Sequence, residues 1–157
     1  MKSPEATALY PDGNRGCYVL VLHLEHAAKV EVGALGSIPF EPGTYLYVGR
    51  ARRHLRQRLE RHMRPARRRR WHIDYLLETA AAREAYVVPT LQECALAREL
   101  AAAPGARVIP RFGSSDCRCP GHLIRVASVP NLGLVGGVPW TRAVSPGANG
   151  VLAINSG

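Results

Sequence analysis

The stretch Thr44-Tyr45-Leu46-Tyr47-Val48-Gly49-Arg50-Ala51-Arg52-Arg53-His54-Leu55-Arg56-Gln57-Arg58-Leu59-Glu60-Arg61-His62-Met63 changes character partway along. Its opening residues are mostly aromatic or β-branched and close on a glycine, the pattern of a short strand. After Gly49 the residues Leu55, Leu59, His62 and Met63 recur at spacings of three and four, so they share one face of a helix while arginines occupy the remaining turns. A strand that feeds an amphipathic, basic helix is the nucleus from which the rest is read.

Upstream, residues 1–15 carry Pro4, Pro11 and Gly13 and read as an irregular lead-in. Gly16 to Leu24 is rich in β-formers, and Lys29-Val30-Glu31-Val32 alternates with period two, so the two segments are expected to join as a β-hairpin. Gly36, Pro39, Pro42 and Gly43 argue for a loop over residues 33–43, which makes Thr44 to Gly49 the third strand. Downstream, Pro65 ends the basic helix. Trp71 opens a second helical stretch reaching toward Ala82, and Tyr86-Val87-Val88 is a fourth strand. Thr90 with Glu93 three residues on has capping-box spacing for a third helix, which runs to Pro104-Gly105. A loop through Arg111 to Asp116, a turn Cys117-Arg118-Cys119-Pro120-Gly121-His122 and a strand from Leu123 to Val126 follow. Residues 16–127 are therefore one domain, and the Gly- and Pro-rich residues 128–157 are expected to form an extended tail. The fold class is α+β and sandwich-like, with a small mixed or antiparallel sheet of three to five strands flanked by helices.

At 157 residues the chain is the size of one ordinary domain and buries a core without metal or disulfides. Its net charge of +9 suits a polyanionic partner. That charge is concentrated: arginines 50, 52, 53, 56, 58, 61, 64, 67, 68, 69 and 70 face one acid, Glu60, and the rest of the chain is close to neutral. Arg50, Arg52, Arg53, Arg56, Arg61, Arg67, Arg68, Arg69 and Arg70 are the candidate nucleic-acid contacts. Apolar stretches such as Tyr18 to Leu22 are far shorter than the roughly 20 residues that span a bilayer, which excludes a membrane protein. Four unevenly spaced cysteines without a secretory leader point to a reducing cytoplasm.

Tyr18 and Tyr47 stand near strand ends, where side chains are held rigidly yet stay reachable. A phenol passes a proton to or from water, the more so where a nearby cation favours its phenolate; plain cross-strand packing of two tyrosines explains the spacing equally well. His62 lies on the apolar helix face and fits a core histidine. Glu93 fits a cap residue as well as a metal ligand. Cys94, Cys117, Cys119 and His122 raise structural zinc. The Cys-x-Cys spacing is tighter than in common zinc knuckles, however, and Cys94 comes from a helix. Buried thiols packing the loop are therefore preferred, and zinc is not the expected cofactor.

Gly16-Cys17-Tyr18, Tyr47-Val48-Gly49, Arg58 with His62 four residues on, and Glu93 on a later helix resemble the core of the GIY-YIG endonuclease superfamily. Trp71-His72-Ile73-Asp74-Tyr75-Leu76, Glu93-Cys94-Ala95-Leu96-Ala97 and Phe112-Gly113-Ser114-Ser115-Asp116-Cys117-Arg118-Cys119 with His122-Leu123 resemble a branch of it found alone or fused to endonuclease III-type glycosylases. The resemblance covers roughly Gly16 to Val126. It implies a GIY-YIG-like domain that cleaves phosphodiester bonds, more in DNA than RNA, in repair or processing and with a possible repair-protein partner. It further implies that Tyr18 helps activate water, that Tyr47 lines the same pocket, that Arg58 steadies the phosphate, with Arg56 as competitor, and that Glu93 holds one Mg2+ or Mn2+. His62 and His72 fill positions that contact substrate or relay protons. Cysteine replaces the family's isoleucine at position 17, and the interval from Tyr18 to Tyr47 is longer, with room for an added strand. The rival expectation is a nucleic-acid-binding module of the same fold without cleavage.

Overall fold

The computed structural model describes residues 11–64, 68–80, 82–115 and 117–140. In chain order the elements are a one-turn helix α1 (Pro11–Asn14), strands β1 (Gly16–Leu24), β2 (Ala28–Glu31), β3 (Ser37–Phe40) and β4 (Gly43–Ala51), helices α2 (Leu55–His62) and α3 (His72–Leu77), strand β5 (Ala82–Val88), helix α4 (Glu93–Ala101), and strands β6 (Arg107–Val108), β7 (Leu123–Val126) and β8 (Val138–Trp140). The architecture is α+β. Six strands form one antiparallel sheet in the order β6-β7-β4-β1-β5-β8, and β2 pairs β3 in a separate two-stranded sheet.

The sheet separates two apolar layers because strand side chains alternate faces. Tyr18, Leu20, Leu22 and Leu24 of β1, with Tyr45 and Tyr47 of β4, pack against Leu55 and Leu59 of α2, Ile73 and Leu76 of α3, and Val30 and Phe40 of the small sheet. Cys17, Val19 and Val21, with Leu46 and Val48, face Leu96, Ala97 and Leu100 of α4. Each fully buried leucine or valine stabilises this sandwich by about 1.5–3 kcal/mol. β1 is covered on both faces, and only His23 of its nine residues is exposed.

Several expectations are corrected. β1 makes no hairpin with Lys29–Val32. It pairs β4 on one side and β5 on the other, with Tyr18 opposite Gly49 and Cys17 opposite Val88. The residues expected to form the loop 33–43 supply β3. The sheet is wider than three to five strands because β6 and β8, of two and three residues, extend its edges. The second helix stops at Leu77, since Ala82 is already paired with Leu22 of β1. The capping box at Thr90 does not form: α4 begins after Gln92 with no side-chain cap, and the Thr90 hydroxyl accepts the Gln92 N–H instead. Part of the expected tail folds back, because β8 pairs β5 through Trp140 opposite Ala85. Residues 1–10 of the lead-in, Pro65, Arg67, Asp116 and residues 141–157 of the tail lie outside the described residues. Among the described residues no helix is long and apolar enough to cross a membrane.

Candidate active site

Register brings the two phenols together. Tyr18 faces Gly49 and Tyr47 faces Leu20, so the tyrosines are diagonal neighbours on one face of the sheet, with ring centroids 6.4 Å apart. Gly49 is required there. A Cβ at that position would lie 2.3 Å from Tyr18 Cζ and 2.4 Å from its hydroxyl oxygen. The ring cannot swing aside: it is 2% exposed, and its hydroxyl sits 2.9 Å from His62 Nε2. Gly49→Ala is therefore expected to cost about 1–3 kcal/mol through overpacking. Denaturant melts check this, and an unchanged midpoint would contradict the packing.

β4 runs into α2, and its basic residues open onto a cleft of about 620 Å³ lined by both tyrosines, Gly49, Arg50, Arg52, Arg53, Arg58, Arg61, Arg70 and Glu93. The expected convergence of Tyr18, Tyr47, Arg58 and Glu93 on one cavity is present. Arg58, not Arg56, is the arginine that lines it: Arg58 donates to the Arg50 carbonyl at 2.6 Å, whereas Arg56 pairs with Glu60 at 3.3 Å. Glu93, on the first turn of α4, holds its carboxylate 3.8 Å from Arg50 Nε and 3.3 Å from His122 Nδ1.

Other predicted residues sit elsewhere. His62 is 1% exposed and lies beneath Tyr18, with its Nε2 on that hydroxyl and its ring against the cleft-lining Trp71. His72 is not among the lining residues. Its Nδ1 accepts the Gly113 N–H at 2.9 Å and its ring packs against Phe112, so it braces the loop that carries Gly113 into the cleft. Burial lowers its pKa, which keeps it the neutral acceptor this bond needs. Arg69 turns away to Glu78, at 2.7 Å, and lines a second, smaller cavity. Arg68 is exposed, and its carbonyl accepts from Arg61. Arg61 spends its fork on buried Asp74, at 2.9 and 3.0 Å, so its part in the cleft is architectural.

Trp71 was given no role among the candidate site residues, yet it organises the basic wall: the guanidinium carbons of Arg58, Arg61 and Arg70 lie 4.6, 4.6 and 4.8 Å from its ring centroid. Its place directly after an arginine run was the available signal. His54 and Gln57 also line the cleft. Asn14 fixes this end of α2, accepting the Arg56 backbone N–H at 2.9 Å and so satisfying one of the open donors of the first turn.

The electrostatics revise one expectation. Burial pushes the Tyr18 hydroxyl up to about 12, and Arg58 beside it lowers it only in part. Burial likewise raises Tyr47 well above its ordinary value. Neither phenol is a phenolate near neutrality, so Tyr18 acts as a neutral hydroxyl that donates and accepts.

The four residues Cys94, Cys117, Cys119 and His122 also converge, against one wall of the same cleft. Comparison with known proteins adds a family but no activity. A family model described as a domain of unknown function, DUF123, matches residues 17–134. No curated protein and no solved structure matches the chain.

Proposed function

The chain belongs to the DUF123 family, whose description carries no activity, and from the chemistry of the cleft we propose a metal-dependent endonuclease of GIY-YIG type that cleaves phosphodiester bonds in nucleic acid. The observation that carries this is the meeting of Tyr18, Tyr47, Arg58 and Glu93 in one arginine-lined cavity. Phosphodiester cleavage needs a water stripped of a proton and positive charge on the non-bridging oxygens. With His62 Nε2 unprotonated, the Tyr18 hydroxyl donates to it across 2.9 Å while its own oxygen accepts a proton from water in the cleft. The proton thus ends on His62 and the hydroxide oxygen attacks phosphorus. Arg58 neutralises the phosphate, and Arg50, Arg52, Arg53 and Arg70 hold the flanking backbone.

One carboxylate fits a single Mg2+ or Mn2+, because such ions complete their shells with waters and substrate phosphate. Glu93 is that ligand, and the ion when bound supplies Lewis acidity at the phosphate. DNA is the expected substrate class, in a repair or processing role. Arginines grip backbone without reading bases, so no sequence selectivity is expected. A reducing cytoplasm is the expected compartment, and the four cysteines, none of them in a disulfide, are consistent with it.

A second reading, a binding module without cleavage, is favoured by one observation: the Glu93 carboxylate already sits against Arg50 and His122. Cleavage of supercoiled, branched and single-stranded DNA, with an RNA arm, in magnesium or manganese distinguishes the two. Binding itself has its own signature. If Arg50, Arg52, Arg53, Arg58 and Arg70 each contact a phosphate, the logarithm of affinity for duplex DNA falls with log salt at a slope of about −4.5. Fluorescence anisotropy across a salt series measures this, and a slope near zero would sink the electrostatic reading.

A further inference from the structure

Cys94 stands on the first turn of α4, Cys117 and Cys119 stand in the loop before β7, and His122 leads into β7. Their ligand atoms all lie within 4.8 Å of one another, and His122 Nε2 is 3.8 Å from Cys94 Sγ and 3.6 Å from Cys117 Sγ. A tetrahedron with Zn–S near 2.3 Å and Zn–N near 2.0–2.1 Å has edges of about 3.5–3.8 Å; the two His122–cysteine distances lie on or close to these edges, and the 4.8 Å limit on the rest leaves at most about 1 Å to close around an ion. The tight Cys-x-Cys interval, which counts against a metal in the sequence alone, is no obstacle here because the other two ligands come from separate elements.

The cradle is set by backbone. His122 accepts the Val48 N–H of β4 at 2.9 Å through its carbonyl and donates its own N–H to Phe112 at 2.7 Å. Gly121 packs so closely that a Cβ there would lie 2.3 Å from the Ile109 carbonyl. The imidazole is 1% exposed, so its orientation is held by the fold.

We propose that Cys94, Cys117, Cys119 and His122 form a structural zinc site, tetrahedral Cys3His, in the wall of the cleft. Four protein ligands close the coordination shell, which marks a structural and not a catalytic ion. With Nε2 on the metal, Nδ1 is the protonated nitrogen and faces Glu93 Oε2 at 3.3 Å. Zinc therefore fixes the tautomer that puts the N–H on the Glu93 side of the ring, where Nδ1 is buried without a hydrogen-bond partner among the described residues and the carboxylate is its nearest charge. The zinc site stands whether or not the cleft cuts nucleic acid.

The test is metal content of the full chain expressed in zinc-supplemented medium, by plasma mass spectrometry. One zinc ion per chain is expected, and Arg118→Ala, between the two loop cysteines, keeps it. Cys117→Ser with Cys119→Ser lowers zinc by more than about tenfold. Because that variant risks misfolding, wild type stripped with a chelator is also titrated with cobalt(II). The intense visible bands of tetrahedral thiolate-bound cobalt support the site. Folded wild type that holds under about a tenth of an equivalent of zinc, gives only octahedral cobalt spectra and reacts at every thiol overturns it. A disulfide among these cysteines in metal-poor protein overturns it equally.

Discussion

Arg61→Ala is expected to lower the free energy of unfolding at neutral pH by about 3 kcal/mol, within the range for stranding one partner of a buried pair. Asp74 is fully buried at the start of α3 and accepts the Arg70 and Trp71 N–H groups at 2.7 and 2.8 Å besides the Arg61 fork. Burial alone raises its carboxyl, but Arg61 and the two backbone donors outweigh it and leave the group below its ordinary 3.8. A carboxyl depressed in this way contributes stability that is complete above its unfolded pKa and disappears as pH falls through the folded one. Removing Arg61 takes away the largest of the lowering interactions. The variant should therefore lose stability at neutral pH while its further loss below pH 4 becomes shallower than in the wild type. Asp74→Asn is expected to cost less, about 1–2 kcal/mol, because Arg61 is still partnered by the Arg68 carbonyl and the Trp71 face. Urea melts across pH 2.5 to 7 separate the two. A wild-type midpoint for Arg61→Ala at pH 7 would mean that this ion pair does not hold the basic wall together.

Sequence pattern captures what depends on neighbours in the chain and misses what depends on distant partners. The basic helix, its buried face of Leu55, Leu59 and His62, and the tyrosine-bearing strands were legible because periods of 3.6 and 2 are local. The partner of β1 was not. A nine-residue buried strand needs long ladders, and the four-residue β2 cannot supply one, whereas the nine-residue β4 pairs it from end to end and β5 pairs Cys17 to Leu22 on the other edge. β2 therefore pairs with β3, and this pair fills the long interval between the tyrosines without disturbing their register. Glu93 was legible as a cap or a ligand, but which side it turned to depended on His122, far along the chain in the loop before β7. The cysteine–histidine group was similarly hidden: Cys94 and His122 are 28 residues apart, and only the folding of α4 over the sheet end brings them together. Edge strands of two or three residues leave no periodicity to read.

Tyr18→Phe is expected to reduce cleavage by about 10²–10⁴-fold, the range for removing a general acid–base group, while leaving affinity for DNA unchanged. The substitution deletes one oxygen and keeps the ring over Gly49, so packing is preserved and the loss isolates the bond to His62. Because the Tyr18 hydroxyl titrates only near 12, wild-type activity between neutrality and pH 9 should not climb with phenol ionisation. Arg58→Lys keeps the charge but not the fork, and a fall of about 10²–10³-fold is expected, as for other lost transition-state donors. Glu93→Gln should abolish stimulation by magnesium yet retain zinc, since Glu93 is not one of the four clustered ligands. That combination separates the two metal readings: a protein that keeps zinc but never cuts retains its structural site and loses its enzymatic assignment. Should wild type bind duplex DNA with the expected salt slope and leave every substrate intact under both metals, the arginine-lined cavity is a grip, and the Tyr18–His62 contact is packing between two buried rings.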